Sequence, residues 1–311
     1  HDPARQTLMM YAHCDTVPPA EGYTFDPYRP EPDKVAAAFG AAHDEIIAGL
    51  GSNDDGGSLV SMIAAYRHLM DRNLPFNLEL VISSEEERSG CGGMARLYPA
   101  HVNPTWAIVG EPTGMQPATS ERGLLVLDGL AEGVSAHAAR AEEGRNALYI
   151  AMDDIAKLRA YKFTKISSVM GEVKLNVTQI NAGTAHNVIP ASCTFVADIR
   201  PTEQYTNQEI LAQLQGICTS RLTARNLRNR SSATPQDSVL VRVIDRLGLE
   251  PFSSPTTSDW VRIGCEAVKM GPGDSRRSHH CNEYITVDEL RRGVEGYIAF
   301  VEKLAAEIYS H

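Results

Sequence analysis

The sequence lacks several features that mark particular classes of protein. Its six cysteines are scattered and form no C-x-x-C pair, which argues against a thiolate zinc site or a disulfide framework and makes the reducing cytosol the expected compartment. No apolar run reaches the about 18 residues of a membrane-spanning helix. There is no internal repeat, no low-complexity segment and no excess of basic residues. We therefore expect a cytoplasmic globular protein whose partners are neither nucleic acid nor membrane.

What is present fits an ordinary globular chain with an acidic balance. The 311 residues are 43% apolar and are long enough for one large or two medium domains. The 39 acidic residues outnumber the 29 basic ones, which gives a net charge of −10. Some of the surplus acid is expected to neutralise bound cations.

The pattern of elements changes twice along the chain. Apolar strand-like runs ("TLMMYA", "LELVISS", "WAIVGEP") first alternate with helical patterns such as the one from Ser58. This predicts an α/β domain with a mostly parallel sheet and functional loops at the carboxyl ends of the strands. Residues 119–230 then read as two strand-helix-strand-like units, which predicts an inserted α+β domain. Residues 231–311 return to the first pattern, so 1–118 and 231–311 are predicted to form one domain.

The stretch "MMYAHCDTVPP" ends a buried strand with His13 and Asp15. Side chains two apart on a strand lie on the same face, so the carboxylate is placed to orient the imidazole. On its own this pair is more typical of a structural, hydrogen-bonded histidine.

The stretch "GLGSNDDGGSLVS" surrounds an acidic pair with glycines just before a helix. Such a turn can aim the carboxylate of Asp54 inward. Alternatively, Asn53 or Asp54 caps the helix at Ser58. A phosphate-binding loop is not indicated, because G-K-[ST] is missing and two carboxylates would repel phosphate.

Three further acidic or imidazole motifs follow predicted strands or turns. "VISSEEERSGCGG" ends a strand with three consecutive glutamates, which repel one another unless a cation or a raised pKa relieves them; a solvated acidic turn is the alternative. Glu111 follows a strand in "AIVGEPTG", and His279 lies in "GPGDSRRSHHCNEY". Together these motifs bring two histidines and at least three acids to separate strand ends. Imidazole and carboxylate ligands favour zinc or a similar divalent ion, and a surplus beyond four favours two ions bridged by one carboxylate.

The order H-x-D, G-x-G-x-x-D, E-E, G-E-P-T, G-x-x-x-H, N-V-I-P, D-I-R, G-P-G-D-x-x-x-x-H resembles that of the dinuclear zinc amidohydrolases. These include acetylornithine deacetylase, succinyl-diaminopimelate desuccinylase, aminoacylases and carboxypeptidases. The likeness spans nearly the whole chain and is greatest to the acetylornithine deacetylase-like, acyl-citrulline or acyl-ornithine branch of Bacteroides-like bacteria. The chain departs from the family at Gly56, where many members carry lysine. Its sequence also begins without the segment of some tens of residues that usually precedes the first strand in the family.

The resemblance implies a role for each motif residue. His13 and Glu111 would bind one zinc, Glu87 and His279 the other, and Asp54 would bridge both. Asp15 would fix the imidazole tautomer of His13. Aligning Gly93 with the family makes Glu86 the general base and Glu87 a ligand, whereas a one-residue slip would give these roles to Glu85 and Glu86.

The resemblance also gives the inserted domain a function. It would be a ferredoxin-like lid that forms a homodimer interface, from which His137 reaches a neighbouring subunit's active site and stabilises the oxyanion. Asn187 and Arg200 would contact the substrate. Alternatively, Asn187 shapes the turn before Pro190 and Arg200 forms a local ion pair.

The implied reaction is hydrolysis of the amide bond of an N-acetyl or N-succinyl amino acid, such as acyl-ornithine or acyl-citrulline, in arginine biosynthesis. Two Zn²⁺ would serve as cofactors, with Co²⁺ or Mn²⁺ as substitutes. A metallo-dipeptidase, aminopeptidase or carboxypeptidase of the same family is the first alternative, although Glu111 in "GEPT" favours deacylases and carboxypeptidases. A binding or assembly protein that has lost its metals is the second.

Overall fold

The computed structural model describes residues 2–309 of the chain. Its strands in chain order are β1 (Thr7–His13), β2 (Ile46–Ala48), β3 (Asn77–Ser83), β4 (Trp106–Val109), β5 (Ala118–Glu121), β6 (Leu125–Glu132), β7 (Ala136–His137), β8 (Lys174–Ala182), β9 (Val188–Ile189), β10 (Ser192–Arg200), β11 (Arg221–Ala224), β12 (Ser232–Ala233), β13 (Phe252–Ser254), β14 (Glu266–Lys269) and β15 (Tyr284–Thr286). Its α-helices are α1 (Pro32–Phe39), α2 (Gly56–Leu69), α3 (Met94–Leu97), α4 (Ala147–Ala160), α5 (Asn207–Gln215), α6 (Val239–Leu247) and α7 (Val287–Tyr309). Over residues 2–309, no helix combines the length and apolar character needed to cross a bilayer.

The chain divides into two compact units. Unit 1 consists of His1–Ser120, Ala233–Ser254 and Ser258–His311, and unit 2 consists of Glu121–Ser232 and Pro255–Thr257. The sequence predicts a catalytic domain of residues 1–118 and 231–311 and a lid of residues 119–230. The assignment of these roles to unit 1 and unit 2 stays a prediction.

Unit 1 is built on a seven-stranded sheet in the order β12-β5-β14-β4-β1-β3, with β13 beside β5. The four strands β3, β1, β4 and β14 run parallel to one another, whereas β5 is antiparallel to β14. The prediction of an α/β fold with a mostly parallel central sheet is confirmed.

Both faces of this sheet are covered, which explains why β1 is a continuous apolar run rather than an alternating one. Leu8, Met10 and Ala12 pack into a core with residues of α2, α6 and α7. Met9 and Tyr11 pack on the opposite face in a second core that includes Trp260. His13 continues the row of Met9 and Tyr11, at the point where the strand ends.

Unit 2 is an antiparallel sheet in the order β11-β6-β10-β8 with helices α4 and α5 packed into its core. Apart from the two-residue strands β7 and β9, the elements follow in the order β6-α4-β8-β10-α5-β11, which is the ferredoxin-like βαββαβ arrangement, as predicted. Helix α5 begins with a capping box, in which Thr206 accepts from the Glu209 backbone and Glu209 accepts from the Thr206 backbone.

Candidate metal centre

Three parallel strands of unit 1 end at the same edge of the sheet. β1 pairs with β3 and β4 in a register that sets His13 opposite Ser83 and Tyr11 opposite Val109. The loops that follow these strands therefore emerge side by side. These loops carry Asp15, Glu86, Glu87 and Glu111, and His13 is the last residue of β1.

His13 is the most enclosed member of this cluster, with a side chain only 1% exposed. Its Nδ1 lies 3.1 Å from the Asp15 carbonyl oxygen and 3.5 Å from the Asp15 carboxylate. In its neutral form, a ring whose Nδ1–H donates to Asp15 carries a lone pair on Nε2. That buried Nε2 has no hydrogen-bond partner among the described residues, and Asp54 Oδ1 lies 3.3 Å away.

Two sets of side chains meet around this imidazole. The inner group consists of His13, Glu86 and Glu111, whose ligand atoms all lie within 4.8 Å of one another. The ligand atoms of His13, Asp54 and Glu87 also lie within 4.8 Å of one another.

His279 joins the second set from the other end of the chain, and Asp54, Glu87 and His279 form the outer group. His279 Nε2 lies 3.0 Å from Glu87 Oε2 and 3.8 Å from Asp54 Oδ2. Unlike His13, this imidazole is 54% exposed, and its residue sits in the left-handed backbone region at φ 62°. All five predicted ligands are thus brought together, and their role as ligands stays a prediction.

The crowding of carboxylates perturbs the ionisation of the cluster. Burial, opposed by His13 but reinforced by nearby Asp259 and Glu87, raises the pKa of Glu86 to about 8. Burial and the charges of Asp54 and Glu86 also raise the pKa of Glu111. Burial lowers the pKa of His13, but its interactions with Asp15 and Asp54 outweigh this and raise it overall.

The donor set fits a pair of divalent cations. Four carboxylates face two imidazoles, and packed carboxylates of this kind repel one another unless a cation lies among them. A buried imidazole nitrogen without a hydrogen bond is the donor that a metal ion would use. The set contains nitrogen and oxygen donors, the combination that suits zinc and similar ions.

Asp15 links the imidazole to the glutamate turn. Its Oδ1 accepts from the Glu86 backbone N–H at 3.2 Å and its Oδ2 accepts from that of Glu87 at 3.3 Å. The carboxylate that orients His13 therefore also fixes the backbone from which the two glutamates project.

Glu85 is engaged differently from its two neighbours. It lies at φ 67°, and its Oε2 accepts from the Gly92 backbone N–H at 2.7 Å. Glu85 thus closes its own turn, while Glu86 and Glu87 enter the inner and outer groups.

The interpretation in which Asn53 or Asp54 caps the next helix is wrong. α2 begins at Gly56 rather than Ser58, and Asp55 occupies the position before it without a capping hydrogen bond from its side chain. Asn53 and Asp54 are both buried; the Asn53 side chain contacts the Asp274 backbone, and the Asp54 carboxylate faces His13.

The three predicted lid residues lie in unit 2. The exposed His137 is in β7, where its Nδ1 accepts from the Ala139 backbone at 3.1 Å. Asn187 is close to it, because the Ala138 backbone donates to the Asn187 carbonyl oxygen at 2.9 Å. Arg200 forms a two-pronged ion pair with Asp198, at 2.7 and 3.1 Å. Their roles toward substrate stay predictions.

Two buried residues at the Asp54 turn have contacts that the sequence did not predict: Glu283, which was not singled out, and Asn53, which was considered only as a helix cap. Glu283 accepts hydrogen bonds from the backbone of this turn, and the Asn53 side chain joins the turn to the segment before His279. Glu283 follows the histidines closely in "HHCNEYI", but nothing in the local pattern indicates which backbone it meets.

The comparison with known families decides the identity of this fold. Residues 9–303 match the model of Peptidase family M20/M25/M40. The chain belongs to this family. It is therefore a metal-dependent hydrolase, and its family includes dinuclear metal-binding peptidases.

Individual M20 relatives are similar over most of their length. Acetylornithine deacetylase of Proteus mirabilis (strain HI4320) is 28% identical over 299 residues, covering 89% of this chain and 74% of the relative. Aminopeptidase PepT from Bacillus cereus ATCC 10987 superposes with a TM-score of 0.72 at 20% identity, covering 98% of this chain and 82% of that chain. The Bacillus subtilis YXEP protein, a dinuclear metal-binding M20 peptidase, gives 0.65 at 14% identity, covering 99% and 83%. These structural likenesses support the fold.

Proposed function

We propose that this M20 hydrolase cleaves the amide bond of an N-acyl amino acid, releasing a carboxylate and a free amino acid. The observation that carries the proposal is the buried Nε2 of His13, which lacks a hydrogen bond among the described residues and faces both groups of carboxylates. The substrate class, acetyl- or succinyl-ornithine or citrulline, is supported by similarity to curated acetylornithine deacetylases at 26–28% identity. Arginine biosynthesis, a cytoplasmic location and the Bacteroides-like branch stay predictions.

We assign the two cations to zinc, which His13, Glu111, Glu87 and His279 would hold, with Asp54 available to both. When bound, the ions supply Lewis acidity toward the amide carbonyl and acidify a water molecule. Asp54 Oδ1 lies 3.3 Å from His13 Nε2 and its Oδ2 lies 3.8 Å from His279 Nε2, which supports a shared role for this carboxylate.

Glu86 is proposed as the general base. It accepts a proton from the attacking water as the water oxygen bonds to the carbonyl carbon, and returns that proton to the nitrogen as the C–N bond breaks. The ligand atoms of Glu86, His13 and Glu111 all lie within 4.8 Å of one another, which supports a role for this carboxylate at the same centre. The engagement of Glu85 by Gly92 favours Glu86 as base and Glu87 as ligand over the one-residue slip.

His137 is proposed to stabilise the oxyanion across a homodimer formed by unit 2. Because its Nδ1 accepts a backbone hydrogen bond, the neutral ring carries its proton on Nε2 and presents an N–H donor. The edge strand β8 is largely exposed along its nine residues, and an open edge supports pairing with a second copy. Light scattering on the purified protein tests the dimer.

Two measurements test the proposed function. Metal analysis of the purified protein should give about two divalent ions per chain, and a folded sample that holds none would favour a binding protein. A substrate panel should show hydrolysis of acetylated or succinylated ornithine and citrulline in preference to simple dipeptides. Faster cleavage of dipeptides would transfer the assignment to the peptidase alternative.

A further inference from the structure

A buried carboxylate that is not a ligand contacts the turn that carries Asp54. Glu283 is only 2% exposed. Its Oε2 accepts from the Gly51 backbone N–H at 2.9 Å, and its Oε1 accepts from those of Asn53 at 3.0 Å and Asp54 at 2.9 Å. Three donors on one carboxylate occupy both oxygens and fix the path of the turn.

The position of Glu283 follows from a small sheet. β2 pairs antiparallel with β15, and the ladder continues one step to the hydrogen bond from the Gly49 backbone to the Glu283 carbonyl. β2 leads directly into the Asp54 turn, while β15 follows directly on the segment that contains His279. The pairing of β2 with β15 thereby holds the Asp54 turn next to the His279 segment, although the two are some 230 residues apart in the chain.

Asn53 forms the second half of this connection. Its side chain is fully buried, donates to the Asp274 carbonyl oxygen at 3.1 Å and accepts from the Asp274 backbone N–H at 2.9 Å. The contact is close, because a Cβ at Gly273 would lie 2.3 Å from Asn53 Oδ1, and Gly273 itself sits at φ +92°. The turn before His279 is thus held by the residue next to Asp54.

We propose that Glu283 and Asn53 are positioning residues that hold Asp54 and His279 in place for the second metal ion. This inference rests on the proposed metal site. The geometry supports it because the two residues bind backbone on both sides of the outer group, whose members Asp54 and His279 are already 3.8 Å apart. Neither positioning residue touches the inner group of His13, Glu86 and Glu111 in the contacts described, so its effect should fall on one ion more than the other.

The test is calorimetric titration of metal-stripped protein with Zn²⁺, together with steady-state kinetics. In Glu283→Gln, an amide N–H₂ replaces one acceptor and faces backbone donors. We expect the affinity for the second zinc equivalent to fall about 10-fold or more, and that for the first, which shares only Asp54 with the outer group, to fall less. We also expect kcat to fall with little change in KM.

Asp154→Asn is the matched control. Asp154 is a fully buried carboxylate that accepts from the Thr219 and Ser220 backbones in unit 2, so its replacement carries a similar structural cost away from the metal centre. It should lower the melting temperature without changing either zinc affinity. Equal zinc affinities in Glu283→Gln and the wild type would overturn the inference, whereas a wild type that binds no pair of ions would instead overturn the proposed function.

Hydrogen exchange of the metal-free wild type tests the inference without any variant. The amides of Gly51, Asn53 and Asp54 should be protected before zinc is added, because Glu283 satisfies them independently of metal. Rapid exchange that slows only on adding zinc would mean that the ion orders the turn, and the inference would be wrong. Asn53→Ser should reproduce the selective loss of the second equivalent.

Discussion

The inner and outer groups of the metal centre show two ways of holding a ligand. His13 ends a buried parallel strand and is 1% exposed, whereas His279 lies in a turn and is 54% exposed. The end of strand β1 and the adjacent Asp15 fix the first. The second depends on hydrogen bonds that Asn53 and Glu283 make to the neighbouring backbone. A strand end supplies a preformed ligand, while a turn has to be restrained separately.

The largest contrast is expected between the two histidine deletions. His13→Ala removes the cation partner of Asp15 and Asp54 in a buried site, so the free energy of unfolding of the metal-free protein should fall by about 3–5 kcal/mol. His279→Ala, at the exposed position, should leave stability nearly unchanged while abolishing binding of one ion. Chemical denaturation and metal stoichiometry measure both. Equal losses of stability would break the distinction between the groups.

The next contrast separates adjacent glutamates. Glu86→Gln should lower kcat about 100-fold or more with zinc still bound, because the water proton loses its acceptor. Glu85→Gln is the control, since Glu85 accepts only within its own turn in the contacts described. Initial rates and metal content measured on both variants decide the base. A larger loss of kcat in the Glu85 variant would instead favour Glu85 as the base and Glu86 as the ligand.

The strand pattern predicted that Glu111 and the glutamate turn would meet His13 at one edge of the sheet, because residues that follow buried parallel strands lie there. The choice of Glu86 among the three glutamates, and the pairing of the ligands, came only from the family resemblance. The restraint on the outer group depends on the register of β2 with β15, strands of three residues each, which carry too little periodicity to be read. The sequence placed the start of α2 at Ser58 rather than Gly56, because glycines in the first turn of a helix are not typical of helical sequence.

Asp15 offers a smaller and more selective effect. Asp15→Asn keeps the side-chain shape and the backbone carbonyl that lies 3.1 Å from His13 Nδ1, but it removes the negative charge of the carboxylate that lies 3.5 Å from this nitrogen and accepts from the Glu86 and Glu87 backbones. We expect zinc affinity to weaken by about 10–100-fold. Competition with a chromophoric chelator measures this. A loss confined to the outer ion would contradict the place of Asp15 beside the inner group.

A pH dependence of stability is also expected. In the metal-free protein the pKa of Glu86 is raised to about 8 and that of Asp55 to about 7, chiefly by burial. An acid with a raised folded-state pKa binds its proton more tightly when folded, so stability should fall as pH rises from 5 to 8. The raised pKa of His13 acts in the same direction. Thermal melts should show this slope without metal and a flatter one with zinc, and a rising slope without metal would contradict it.

The chain leaves and re-enters unit 1 at adjoining strands, where the Thr234 backbone donates to the Thr119 carbonyl oxygen at 2.8 Å. Because this junction is closed by a hydrogen bond within the host sheet, lengthening the insert there should add only about 0.6 kcal/mol of loop-closure cost for each doubling of its length.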